Sequence, residues 1–92
     1  MVIVGNDAAW STERHRQAAW YGVQRAVASQ LLPSRYDRLA EGLGAHGELA
    51  ASANDLAVVL PRALAAADRG VPTLVNCMIE AIPAPTTKLV RE

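Results

Sequence analysis

The residues best suited to chemistry lie where a short apolar run breaks into a turn, at Gly5-Asn6-Asp7-Ala8. Asn6 offers a neutral amide oxygen and Asp7 a charged one, and exposed turn carbonyls add further hard ligands of the kind magnesium takes beside a phosphate. Asn and Asp are also ordinary turn formers, because their side chains bond the backbone two residues on. Both readings stand at this level. His15, in the polar run Thr12-Glu13-Arg14-His15-Arg16-Gln17, has the chemistry to bind an anion or move a proton, or it sits on a solvated helix face. His46, between Ala45 and Gly47, reads as a loop residue rather than a base, since no second histidine or carboxylate stands at a metal-ligand spacing.

Trp10, Trp20 and Tyr21 concentrate the aromatic surface just after this turn, either as a pocket wall, with Trp10 the nearest candidate, or as a face packed on another domain or subunit. The single cysteine, Cys77, lies in an apolar run and reads as a small buried hydrophobe. It excludes an internal disulfide and a four-cysteine zinc site, which suits a reduced, cytoplasmic setting. No phosphate-cradling glycine loop and no nucleophile elbow occurs.

The elements that must position these residues follow from hydrophobic periodicity. Val2-Ile3-Val4 is a continuous apolar run ended by the turn, the pattern of a parallel strand buried on both faces. From Ser11 or Thr12, Ala19, Val23, Val27 and Leu31 recur at helical spacing, which predicts one helix as far as Pro33 with a weak middle at Gly22. Ser34-Arg35-Tyr36-Asp37 matches a capping box opening a second helix, with Leu39, Ala40 and Leu43 inward and Gly44 as its left-handed stop. Gly47 to Ala50 forms a faint strand. Ser52-Ala53-Asn54-Asp55 is a second capping box, opening a helix with an apolar stripe from Leu56 to Ala67 and Pro61 inside it. Gly70 and Pro72 end that helix, and Thr73 to Ile79 is a strand of the fully buried type.

The order is strand, helix, helix, strand, helix, strand, which implies an α/β fold with a partial parallel sheet and covering helices. Residues 1–80 are expected to carry it, and residues 81–92, with Pro83 and Pro85, to form an extended tail. In open α/β sheets ligands bind beyond the carboxyl ends of the strands, which is where Asn6 and Asp7 fall.

Ninety-two residues allow one domain of marginal core, and the 51% hydrophobic share holds no Phe, so the apolar side chains are mostly Ala, Leu and Val. Nine basic residues balance nine acidic ones, which gives no net field for nucleic acid or an anionic membrane. No run reaches the roughly 18 apolar residues of a membrane span. A chain opening directly on a buried-type strand is expected to be the closing portion of a larger domain, inactive by itself and prone to oligomerise along its open sheet edge.

Nearly the whole chain, in order, resembles the C-terminal region of thiamine-diphosphate enzymes of the acetolactate synthase type. The resemblance is carried by Val2-Ile3-Val4-Gly5-Asn6-Asp7-Ala8-Ala9-Trp10, Arg14-His15-Arg16-Gln17, Tyr21-Gly22, Arg35-Tyr36-Asp37, Leu39 through Glu48, Pro61-Arg62-Ala63-Leu64 and Gly70 through Asn76. It implies that this is the second half of a thiamine-diphosphate-binding domain. It also implies that Asn6 closes the cofactor motif, with its side-chain oxygen and the Ala8 carbonyl as magnesium ligands and with Asp7 and Ala9 alongside the cofactor. Members often have two asparagines here, whereas this chain has Gly5 before Asn6. The Gly-Asp-Gly that opens the family motif does not occur in this sequence, nor does the domain whose glutamate activates the cofactor.

The resemblance therefore implies no catalytic residue in this chain. It implies a 2-oxo acid substrate, decarboxylation and carboligation, the remainder of the polypeptide and a homo-oligomer, dimer or tetramer, as partners, and FAD where a middle domain provides for it. Decarboxylases of the benzoylformate or oxalyl-CoA type share the region, and a non-catalytic assembly module that kept the fold is the alternative from another class.

Overall fold

The computed structural model describes residues 1–82, so the expected tail lies outside the described residues from Pro83 onward. The elements are β1 (Val2–Asn6), α1 (Ser11–Tyr21), a 3-10 turn (Val23–Arg25), α2 (Tyr36–Gly42), β2 (His46–Ala50), α3 (Ala53–Asp68) and β3 (Thr73–Met78). Their order matches the expected alternation. The three strands form one parallel sheet in the order β1-β3-β2, with Val4 opposite Asn76 and Leu49 opposite Asn76 on the two sides of the central strand. The chain divides into two compact units, one holding Met1–Asn6 and Ser34–Ile79, the other holding Asp7–Pro33.

In the first unit the two faces of β3 do different work. Val75 and Cys77 face α3, where Val75 joins Ala50, Val59 and Ala63 in the core, with Leu56 and Cys77 packed against it. The opposite face carries Asn76, whose side chain meets Asp37 of α2. Small side chains on α3 let the helix approach the sheet closely, and Ala63 and Ala66 are wholly excluded from solvent. The Ser52 hydroxyl accepts the Asp55 amide at 3.0 Å, as expected of a cap, while the Asp55 carboxylate takes the amide of Ala51 rather than that of Ser52.

Several expectations change. β1 is not buried on both faces: it is an edge strand, and among the described residues Val2 is 56% and Ile3 54% exposed. The first long helix stops at Tyr21, because Gly22 takes φ +91° and ends the helical geometry. Val23 and Val27 are exposed rather than inward.

The residue at the cap of α2 is Arg35 rather than Ser34. Arg35 precedes α2 with no side-chain cap, and Asp37 turns instead to the Arg35 guanidinium and to Asn76. Of the predicted inward residues of α2 only Ala40 is buried; Leu39 and Leu43 border an open apolar groove of about 560 Å³ with Val2, Val4 and Leu74.

Candidate functional site

Asn6 ends β1 and is 5% exposed. Both hydrogens of its amide nitrogen are engaged, one by the Ser34 carbonyl at 3.0 Å and one by the Asn76 side-chain oxygen at 3.2 Å. That pairing orients the amide, because only the nitrogen side can donate. The Asn6 carbonyl accepts from the Ile79 amide at 3.0 Å, which ties the strand end to the chain leaving β3.

Behind Asn6 lies a buried polar cluster. Asn76 is wholly buried in the central strand and donates to the Ser34 carbonyl at 3.1 Å and to Asp37 at 3.3 Å. Arg35 grips the same Asp37 carboxylate with two donors, at 3.0 and 2.7 Å. The Arg35 hydrogen bonds, reinforced by Asn76 and opposed by burial, hold the Asp37 carboxyl down at about 2.

In the second unit, the turn is built on Asp7 and Ala8. The Asp7 carboxylate accepts the Ala9 amide at 3.2 Å, the local bond that makes aspartate a turn former. Ala8 takes φ +57°, an uncommon conformation for a residue with a β-carbon. Its carbonyl accepts from the Leu31 amide at 2.8 Å and the Gln30 side chain at 2.9 Å. With the bond from the Trp10 amide to the Ser29 carbonyl at 2.7 Å, this makes an isolated antiparallel bridge between Ala9 and Gln30. Alternation in such a pair turns the amide and carbonyl of Ala9 itself away from Gln30.

A shallow cleft of about 310 Å³ opens here, lined by Asp7, Ala9, Trp10, Ser11, Thr12 and Glu13. The first turn of α1 forms one wall, so its unpaired amides contribute a partial positive charge. Asp7 and Glu13 are the acidic residues of the lining, and the Glu13 carboxylate lies 3.5 Å from the Arg16 guanidinium. An acidic lining of hard oxygens suits a divalent cation, and the helix end suits an anion beside it.

The donor chemistry at this turn fits magnesium, with one reservation of geometry. A carbonyl has two lone pairs, and both of Ala8's are met by N–H donors, so Ala8 can serve a metal only by releasing Gln30 or Leu31. The Asp7 carboxylate lines the cleft, and the Ala9 carbonyl is the backbone oxygen turned from the bridge.

Trp10 lines the cleft, while His15 lies on α1 outside its lining. His46 corrects its reading as a loop residue. It sits on β2 with a ring nitrogen 3.0 Å from Glu48, a carboxylate two residues away on the same strand face. Arg62 clamps Glu48 with two bonds of 2.9 Å, and this pairing, more than His46, lowers the Glu48 carboxyl. Among the described residues no group of three or more His, Cys, Asp or Glu could hold a metal by side chains alone.

Asn76, Asp37, Arg35 and Gln30 were not read as site residues in the sequence, Asp37 being assigned only to a capping box. The one signal was an asparagine inside an otherwise apolar strand, since a buried amide demands partners.

The profile of the family described as thiamine pyrophosphate enzyme, C-terminal TPP binding domain, matches residues 1–77. A probable acetolactate synthase of Mycobacterium bovis and the acetolactate synthase large subunit IlvG of Mycobacterium tuberculosis are each 37% identical over 79 residues, 85% of this chain. The chain spans 14% of the length of each of these relatives. A three-stranded parallel sheet, a polar turn at the carboxyl end of β1 and a profile match over most of the sequence agree, and the chain belongs to the thiamine pyrophosphate enzymes, within their C-terminal TPP-binding domain.

Proposed function

We propose that this chain is the C-terminal part of a thiamine-diphosphate- and magnesium-dependent enzyme acting on 2-oxo acids, of the acetolactate synthase type. The observation that carries this reading is the cleft lined by Asp7, Ala9 and the first turn of α1, which puts metal-type oxygens next to helix amides. The names of the two mycobacterial relatives favour carboligation over simple decarboxylation.

When bound, thiamine diphosphate supplies the carbanion and electron-sink chemistry. The residues of this chain hold and orient it. Asn6 and Asp7 offer side-chain oxygens to the magnesium that anchors the diphosphate, and the turn adds a backbone oxygen, from Ala8 if the bridge opens or from Ala9 as it stands. The first turn of α1 attracts phosphate oxygens, and the exposed Trp10 indole forms a wall that excludes water. No proton-transfer residue is assigned here, and cleavage relies on groups contributed from outside these residues.

Replacing Asn6 or Asp7 by Ala in the whole enzyme is expected to weaken magnesium and thiamine-diphosphate binding together, each by at least about tenfold, since even residues behind the ligands carry that much. Calorimetric titration measures both, and unchanged binding in both variants removes the metal assignment. Gln30→Ala separates the backbone oxygens: tighter magnesium binding identifies Ala8 as the ligand, and unchanged binding identifies another oxygen. Product analysis with pyruvate distinguishes acetolactate from the aldehyde a simple decarboxylase releases.

A cytoplasmic homo-oligomer completes the proposal. Its support is the exposed edge strand β1, with Val2, Ile3 and the neighbouring apolar groove open to a partner. No helix among the described residues is long and apolar enough to cross a membrane. Sedimentation at micromolar concentration is expected to show dimers or larger species, and a monomer overturns this part.

A further inference from the structure

The Asn6 side chain is held from behind by a second asparagine seventy positions on, in the central strand. Asn76 is wholly buried, an expensive place for an amide unless every group on it is met. It is met by three partners: its oxygen accepts from Asn6, and its nitrogen donates to the Ser34 carbonyl and to Asp37. Asp37 is fixed in turn by the two-pronged grip of Arg35. The chain of contacts therefore runs from an ion pair at the start of α2, through the sheet centre, to the side chain at the end of β1. An apolar residue at 76 would fill the same space without that directionality, so the cluster is a costly device for a core and a suitable one for fixing an orientation.

We propose that Asn76 is a positioning residue for the metal-binding end of β1, holding the Asn6 amide so that its oxygen, not its nitrogen, is presented to the cation, with Asp37 and Arg35 fixing Asn76. This rests on the magnesium reading above. An amide has two nearly equivalent ends, and a cation accepts only the oxygen. By engaging both Asn6 hydrogens, the Ser34 carbonyl and the Asn76 oxygen select one of the two orientations. The Asp37 carboxylate determines the orientation of Asn76 in the same way, since it can only accept.

The test uses three changes in the whole enzyme, with magnesium titrated calorimetrically at fixed thiamine diphosphate and thermal unfolding followed without either. Asn76→Asp still accepts from Asn6, but it loses both donors and sets a second carboxylate against Asp37. Its magnesium affinity is expected to fall about 10- to 100-fold. Adding Asp37→Asn restores a donor opposite an acceptor with the roles exchanged, and the double variant is expected to recover most of that affinity, a coupling that simple loss of packing would not produce. Should Asn76→Asp not fold, Asn76→Ser, too short to reach Asn6, is measured in its place with the same expectation. Wild-type magnesium affinity in a folded Asn76 variant, with only the melting temperature lowered, overturns the positioning role. If Asn6→Ala loses magnesium while the Asn76 variant keeps it, the metal reading survives and the positioning role falls; if Asn6→Ala also binds normally, both fall.

Discussion

Gly47→Ala is expected to destabilise the protein by about 3 kcal/mol or more, a drop in melting temperature on the order of 10–20 °C. Gly47 lies on β2 directly beneath the start of α2, and a β-carbon there would come 2.1 Å from the Asp37 carbonyl oxygen and 2.8 Å from its carbonyl carbon. These are backbone atoms, which no rotamer change can move aside. The helix must lift from the sheet, and Asp37 is carried away from Asn76 as it does. Gly42→Ala is the control: its β-carbon meets nothing within 4 Å, it sits in α2, and the change is expected to be neutral or stabilising by up to about 0.5 kcal/mol. Thermal unfolding of the two variants side by side checks the contrast, and equal melting temperatures would show that α2 does not pack on β2 as closely as described.

The second large effect is a dependence on pH centred on Asp37. Its carboxyl is held at about 2, chiefly by Arg35, against an ordinary value of 3.8. The folded state therefore binds the proton less readily than the unfolded one. The stabilisation is fully present above pH 4 and is lost as pH falls through 4 toward 2. The Arg35 side chain is 45% exposed, so solvent screens the pair and the pH-dependent part is about 1 kcal/mol rather than the full value of the shift.

Asp37→Ala is expected to cost more, about 2–3 kcal/mol, because the Asn76 nitrogen loses one of its two acceptors and the Arg35 guanidinium loses its own. Asp37→Asn keeps an oxygen for Asn76 and is expected to flatten the stability profile between pH 2 and 4. Denaturant unfolding across that range measures both. A wild-type slope in Asp37→Asn would place the acid sensitivity elsewhere, with Glu48 the next carboxyl, lowered by Arg62.

Much of the architecture was legible because its signals are local. Ser52 stands three residues before an acid, Gly44 and Gly70 occupy left-handed positions after helices, and Thr73 to Met78 is a mostly apolar run. Each depends on a few neighbours in the chain, so element order and the parallel sheet followed. The polar turn after β1 was legible for the same reason, since Asn and Asp announce a turn whatever packs around them.

What the chain could not announce depends on partners far away in sequence. Ser34 and Asp37 have capping-box spacing, yet the Asp37 carboxylate is taken by the Arg35 guanidinium and by a strand side-chain amide 39 positions away. The helical spacing of Val23, Val27 and Leu31 is real, but Gly22 turns at positive φ and Gln30 is held beside Ala9, 21 positions earlier. The engagement of the Ala8 carbonyl, the exposure of β1 and the clamp on Glu48 were decided in the same way. The sequence by itself determined the order of strands and helices and where the polar turn after β1 falls, because those rest on short-range sterics and hydrogen bonds. Only the tertiary structure decided which buried polar group meets which partner, because that choice requires two segments to be brought together before either donor or acceptor is satisfied.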